Sequence, residues 1–108
     1  FESRLKRQLQ QLQERTILVK FAGATGNYNA HQVALPDIDW RAFSKQFIGR
    51  LNAGHTISLE LNEVTTQIEP HDTFAEMFDN MRRINVILTD LSQDVWRYIS
   101  DGWLTQKP

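Results

Sequence analysis

An all-α fold, read as a segment of an elongated helical bundle, is what the sequence predicts, on three observations. Met77, Met81, Ile84, Leu88, Leu91, Val95 and Tyr98 recur at helical spacing through the C-terminal third, with Phe74, Phe78, Ile87, Trp96 and Ile99 as a second apolar stripe. Trp40, Phe43, Phe47, Ile48 and Leu51 repeat the pattern behind Asp39, a residue suited to an N-cap. Phe1, Leu5, Leu9 and Leu12 form a narrow seam at the other end of the chain.

Taken in order, the first seam predicts a helix over about residues 1–18, otherwise Gln, Lys, Arg and Glu, with a single stripe that needs a partner. The chain opens at Phe1 inside this pattern with no capping residue ahead of it, so the helix reads as one entered partway along, in a piece of something larger. From Lys20 to His31 two glycines, two asparagines and small side chains break the period, which predicts a tight turn or a close approach of backbone. A helix over 39–51 follows, stopped by Asn52-Ala53-Gly54. Ile57, Leu59 and Leu61 then alternate with polar neighbours between His55 and Val64, a pattern shared by a short strand and an extended loop. The last helix is expected over 71–103. At 1.5 Å per residue it would be on the order of 50 Å long, against a radius of gyration of about 13 Å for a compact chain of this size. Apolar on two sides, it is expected to be buried between neighbours in a bundle or an oligomer core.

Composition narrows the function classes. Of 108 residues, 12 are Lys or Arg and 13 are Asp or Glu, a formal charge of -1, so neither a nucleic-acid footprint nor a polybasic membrane segment is present. No apolar run approaches the roughly 20 residues that span a bilayer, so no membrane partner is expected. The absence of cysteine removes disulfides, thiolate zinc sites and thiol nucleophiles, and fits a reducing, cytoplasmic setting.

Thr65-Thr66-Gln67-Ile68-Glu69-Pro70-His71-Asp72 concentrates polar groups just ahead of the long helix, with Pro70 suited to its first turn. Two readings stand side by side. Hydroxyls, an amide and free helix N–H groups suit an anionic ligand such as a carboxylate; alternatively Glu69 and Asp72 complement the helix dipole and Thr65 or Thr66 caps the turn. His71 beside Asp72 is too small a set for a metal, which needs three or four ligands, and His31 and His55 lie in loops without ligand spacing. Gly23-Ala24-Thr25-Gly26 lacks the pattern of a dinucleotide loop. Neither a metal nor any other cofactor is expected.

Three stretches taken together, Lys20 to His31, Asp39-Trp40 with Phe43-Ser44 and Phe47, and Thr65 to Asp72 leading into Asp94-Val95-Trp96 and Tyr98-Ile99, resemble the adenylosuccinate lyases of bacterial and plant type. These belong to the fumarase and aspartase superfamily. The resemblance covers nearly the whole chain but only the central helical part of a much longer protein, so residues 1–108 are read as a piece of that central domain. It implies a C–N lyase of purine biosynthesis. The parent would eliminate fumarate from adenylosuccinate, giving AMP, and from the related succinyl-carboxamide ribotide. A base removes the proton next to a carboxylate, an acid protonates the departing nitrogen, and the carbanion between them is stabilised.

In the family the acid is a histidine in an upstream Arg-Thr-His-Gly motif and the base a serine in a downstream Ser-Ser-x-Met-Pro-His-Lys loop. Neither motif occurs here, so no catalytic residue is expected within this segment and His71 is not assigned the acid's part. Gln67 matches the family's substrate-binding glutamine, whose amide both donates and accepts, and Thr66 stands beside it. The Gly23 to His31 loop is expected to serve close packing. Two departures concern Gln67: the Leu51 to Val64 connection is longer than in the relatives, and Glu63-Val64 replaces a usual Pro-Tyr. The resemblance also implies a homotetramer with active sites shared among three subunits, so the isolated segment is expected to be inactive. The rival reading is a free-standing, non-catalytic helical oligomerisation module, favoured by the heptads from Met77 to Tyr98.

Overall fold

A computed structural model describes residues 1–54, 57–105 and 107. His55, read from the sequence as a loop residue, lies outside the described residues. The order of elements is α1 (Glu2–Gln13), β1 (Thr16–Val19), α2 (Asn29–Ala34), α3 (Trp40–Leu51), β2 (Ser58–Leu61) and α4 (Asp72–Ser100). The chain is mostly helical and divides into two compact units, one of residues 1–12 with 77–108 and the other of residues 13–76.

The first helix is shorter than its seam suggested, ending at Gln13, and the residues expected to continue it to about Leu18 fall largely in β1. The physical reason is side-chain shape: Thr16, Ile17 and Val19 are β-branched, which favours an extended backbone over a helical turn. Their partner is β2, in parallel register from Thr16 opposite Ser58 to Val19 opposite Leu61. A parallel pair requires a long crossover, and residues 20–57, with α2 and α3 in them, supply it.

Two strands alone are marginal, and α3 supports them. The Asn52 side chain, at the end of α3, holds Leu59 of β2 by both backbone groups: Nδ2 donates to the Leu59 carbonyl and Oδ1 accepts from its N–H, each at 2.6 Å. Asp39 caps the other end of α3, its Oδ1 accepting from the N–H groups of Arg41 and Ala42 at 3.1 and 3.0 Å. Ile17, Ala22 and Ile48 are the buried apolar side chains of this unit. Ser44 is fully buried among them, its hydroxyl donating to the Trp40 carbonyl at 2.7 Å with the Phe21 carbonyl 3.1 Å away. Phe21 stands at the centre of an aromatic cluster with Phe43 and Phe47, centroids 5.9 and 5.2 Å distant. Such contacts each add roughly 0.5–1.5 kcal/mol to the burial itself.

In the other unit α1 lies antiparallel to α4, since Arg4 pairs with Asp90 at 3.0 Å while Gln8 meets Asn80 and Arg83. Its centre is polar. Gln8 Oε1 accepts from Asn80 Nδ2 at 2.9 Å and Arg83 Nε at 2.8 Å, and Asn80 is fully buried. Ile87 is the buried apolar residue of α4. The expectation that α4 is buried between neighbours is not met within the chain: Phe78, Met81, Leu88, Val95 and Trp96 are all exposed. The reason is that among the described residues of this unit the short α1 is the one other element for α4 to pack against. The helix ends at Ser100 and is closed by Gly102, with φ +78: the N–H of Trp103 bonds the Tyr98 carbonyl at 2.8 Å and that of Gly102 the Ile99 carbonyl at 3.1 Å, a Schellman closure. Among the described residues no helix is long and apolar enough to cross a membrane.

Candidate functional site

The parallel sheet determines where the site-bearing segments emerge. Val19 and Leu61 are partners at the C-terminal ends of β1 and β2, and the Asn62 N–H extends the pairing to the Val19 carbonyl at 2.9 Å. The loop that begins at Lys20 and the Asn62 to His71 segment therefore leave the sheet side by side; the loop stops at Tyr28, since Asn29 to His31, expected to continue it, form the start of α2. Two contacts lock them together. The Lys20 ammonium donates to the Gly23 carbonyl at 2.6 Å and to the Gln67 carbonyl. Gly26, at φ +84, lies so close to the Thr65-Thr66 backbone that a Cβ there would sit 2.7 Å from the Thr66 carbonyl oxygen. The loop is closed on itself by Tyr28, whose N–H donates to the Ala22 carbonyl at 2.9 Å and whose own φ of 57 is left-handed.

The run from Thr65 to Asp72 is organised by a carboxylate rather than by its hydroxyls. Glu69 is 8% exposed; Oε1 accepts from Asn62 Nδ2 at 3.2 Å, Oε2 accepts from the His71 N–H at 2.7 Å, and His71 Nδ1 lies 3.6 Å from Oε2. His71, at φ 66, offers its carbonyl to the N–H groups of Phe74 and Ala75, both at 3.1 Å. It thus occupies the cap position of α4, and Pro70 precedes the helix instead of lying in its first turn. Thr73 Oγ1 accepts from the Leu18 N–H at 3.1 Å, tying the start of α4 to β1. With Glu69 already at this terminus, the dipole-complementing reading fits better than an external carboxylate. Capping by a threonine hydroxyl is not seen: Thr65 Oγ1 is buried without a partner among the described residues. Thr66 and Gln67 are exposed, with the Gln67 main chain held by Lys20.

Beside this clamp opens a cavity of about 490 Å³ whose lining includes Gly26, Tyr28, Trp40, Arg41, Glu63 and Thr65. Thr65 is the member of the Thr-Thr-Gln run on its wall; Thr66 and Gln67 lie outside it. At its rim Glu63 pairs with Lys45 of α3. The hydrogen bond and charge of Lys45 hold the Glu63 carboxyl below its usual range, and the same bond raises the Lys45 ammonium. His31 belongs to the aromatic cluster, its ring 4.8 Å from Trp40 and 5.8 Å from both Phe21 and Tyr28. Its Nδ1 is buried with no partner among the described residues, facing Gly23 closely enough that a Cβ there would stand 3.2 Å away. Among the described residues no group of three acidic or histidine side chains is placed to hold a metal.

Lys20, Asn62 and Glu69, which build this geometry, were not singled out by the sequence for these roles. The signal for Lys20 is its place between a β-branched run and a glycine-rich turn, where a long cation can reach carbonyls on either side. Asn62 and Glu69 carry no such signal, because their pairing depends on a fold in which residues seven apart double back.

A family model described as Lyase matches residues 2–105. The chain is 51% identical over 107 residues to an adenylosuccinate lyase of Legionella pneumophila (strain Corby), covering 99% of this chain and 22% of the relative. It is 50% identical over 104 residues to that of Haemophilus influenzae and 47% identical over 104 residues to that of Escherichia coli (strain K12), in each case 96% of this chain and 22% of the relative. The chain thus spans about a fifth of the length of the curated relatives it matches. With nearly all of its residues inside the matched span, the chain belongs to this lyase family.

Proposed function

We propose that the chain is part of the central helical domain of an adenylosuccinate lyase, whose parent enzyme eliminates fumarate from adenylosuccinate and from the related succinyl ribotide. The observation that carries this is identity of about half the residues, over nearly the full chain, to proteins bearing that name. The geometry supports it: the two motif-bearing loops leave neighbouring strand ends and are clamped by Lys20, so the Gln67 amide stands exposed on a fixed main chain. In this reading Gln67 binds substrate, donating through its NH2 and accepting through its oxygen, with Thr66 beside it. The acid and base of the elimination come from parts of the parent outside these 108 residues, and no cofactor takes part. The parent works in the cytoplasm as a homotetramer, and the exposed apolar residues of α4 pack against further helices of that assembly.

The experiment is a chimaera. This segment replaces the matching stretch of the Escherichia coli relative, and fumarate release from adenylosuccinate is followed. Activity within about tenfold of the parent, a barrier change of about 1.4 kcal/mol, supports the reading; a folded, assembled chimaera without activity contradicts it. The isolated chain is expected to release no fumarate.

One observation favours a second reading, a non-catalytic helical oligomerisation module. Phe78, Trp96 and Trp103 are 60%, 71% and 80% exposed, large apolar side chains left for a helix of another copy to cover. An isolated chain that self-associates, together with a chimaera that assembles but does not turn over, would select it.

A further inference from the structure

The unit formed by α1 and the C-terminal part of α4 carries a cavity of a different chemistry. About 290 Å³ in volume, it is lined by Arg4, Arg7, Arg82 and Arg83, together with Gln8 and the buried Ile87. Four guanidinium groups around one small space repel one another, and among the described residues two carboxylates lie against them: Asp90 at 3.0 Å from Arg4 and Asp79 at 3.2 Å from Arg82. Arg7 has no acidic partner among the described residues. Arg83 donates from Nε to Gln8 Oε1 at 2.8 Å, and that oxygen already accepts from Asn80 Nδ2 at 2.9 Å. The amide therefore steadies the Arg83 guanidinium without neutralising it.

A fork of N–H donors held by one of its own nitrogens is well matched to a planar or tetrahedral oxyanion, which takes two parallel bonds from one guanidinium. Arg4 and Arg7 stand one turn apart on the face of α1 that also presents Gln8, while Arg82 and Arg83 come from α4, so donors approach from two elements. A single negative charge would balance Arg7 or Arg83 but not both. We propose that this cavity binds a small multivalent oxyanion of the phosphate class, with Arg7 and Arg83 as principal donors and Arg4 and Arg82 flanking them. The proposal is independent of the lyase reading, since it uses neither Gln67 nor the loops that hold it.

The test is calorimetric titration of the full chain with inorganic phosphate, with sodium chloride at matched ionic strength as the reference. The expected result is a single phosphate site that chloride does not mimic, weakened at least about tenfold by Arg7→Gln and less by Arg82→Gln. Arg7 is exposed and unpaired among the described residues, so its replacement is expected to leave the helical circular dichroism unchanged. Lys6→Gln, on the same helix but outside the cavity, is expected to bind as the unaltered chain does. Equal heats with phosphate and chloride, no phosphate binding, or binding unaffected by Arg7→Gln would each overturn the proposal.

Discussion

Gly26 rests against the main chain of Thr65 in a left-handed conformation, with Thr65 and Thr66 carbonyls where a Cβ would have to go. That contact makes one glycine the gauge of how closely the two motif-bearing loops approach. Gly26→Ala meets both the strain of a positive φ and a backbone clash, and is expected to cost about 2–4 kcal/mol in denaturant unfolding. Gly102→Ala also has a positive φ, but opens into free space; it is expected to cost only about 1 kcal/mol. Equal costs would mean that the loops can part.

Lys20 is the second device that joins the loops. Lys20→Met keeps most of the apolar stem and removes the donors to the Gly23 and Gln67 carbonyls. Charged hydrogen bonds of this kind are worth about 1.5–3 kcal/mol each when desolvated, and partial exposure places the expected loss at about 1–2 kcal/mol. Amide hydrogen exchange checks the mechanism: protection should fall in residues 20–31 and 62–71 together.

Only part of this arrangement was legible in the sequence. Asp39 was, because an N-cap is a local device: a short acceptor next to the first helical N–H groups works in any surroundings. The long C-terminal helix was equally plain from its side-chain period. β1 was missed because the seam of Phe1, Leu5, Leu9 and Leu12 was extended to about Leu18 across Thr16, Ile17 and Val19, whose β-branching contradicts it, and a strand is settled by its partner, 42 residues away in register. Glu69 was read as a dipole partner from its place before a helix, whereas its burial against Asn62 and the His71 N–H needed the fold. Thr66 and Gln67 are proposed as site residues through the resemblance alone; nothing in their spacing distinguishes them from an ordinary exposed turn.

The polar centre of the α1–α4 pair makes a prediction about partners rather than about single residues. Gln8→Leu leaves buried Asn80 Nδ2 without the Gln8 acceptor and strips Arg83 of its support, and is expected to cost about 2–3 kcal/mol. The double variant Gln8→Leu, Asn80→Leu replaces both buried polar groups, and is expected to be more stable than Gln8→Leu alone. A double-mutant cycle in urea measures the coupling.

The Lys45–Glu63 pair predicts a pH window. The folded Glu63 carboxyl is held below its ordinary value, so its contribution is present above about pH 4.3 and is lost as pH falls through the lowered folded value. The folded Lys45 ammonium is held above its ordinary value, so its contribution is present below about pH 10.4 and is lost as pH rises through the raised one. Both side chains are exposed and the effect is small. The Tm difference between the chain and its Glu63→Gln variant is expected to be positive near neutral pH, to vanish in acid, and to shrink in high salt.

The central claim is that Gln67 stands in a lyase site, held there by the clamp between the two loops. In the chimaera with the Escherichia coli relative, Gln67→Ala is expected to lower kcat/KM for adenylosuccinate at least about 100-fold, a loss of about 2.7 kcal/mol, while the assembly and its melting temperature stay unchanged. Undiminished turnover by the Gln67→Ala chimaera would contradict the assignment.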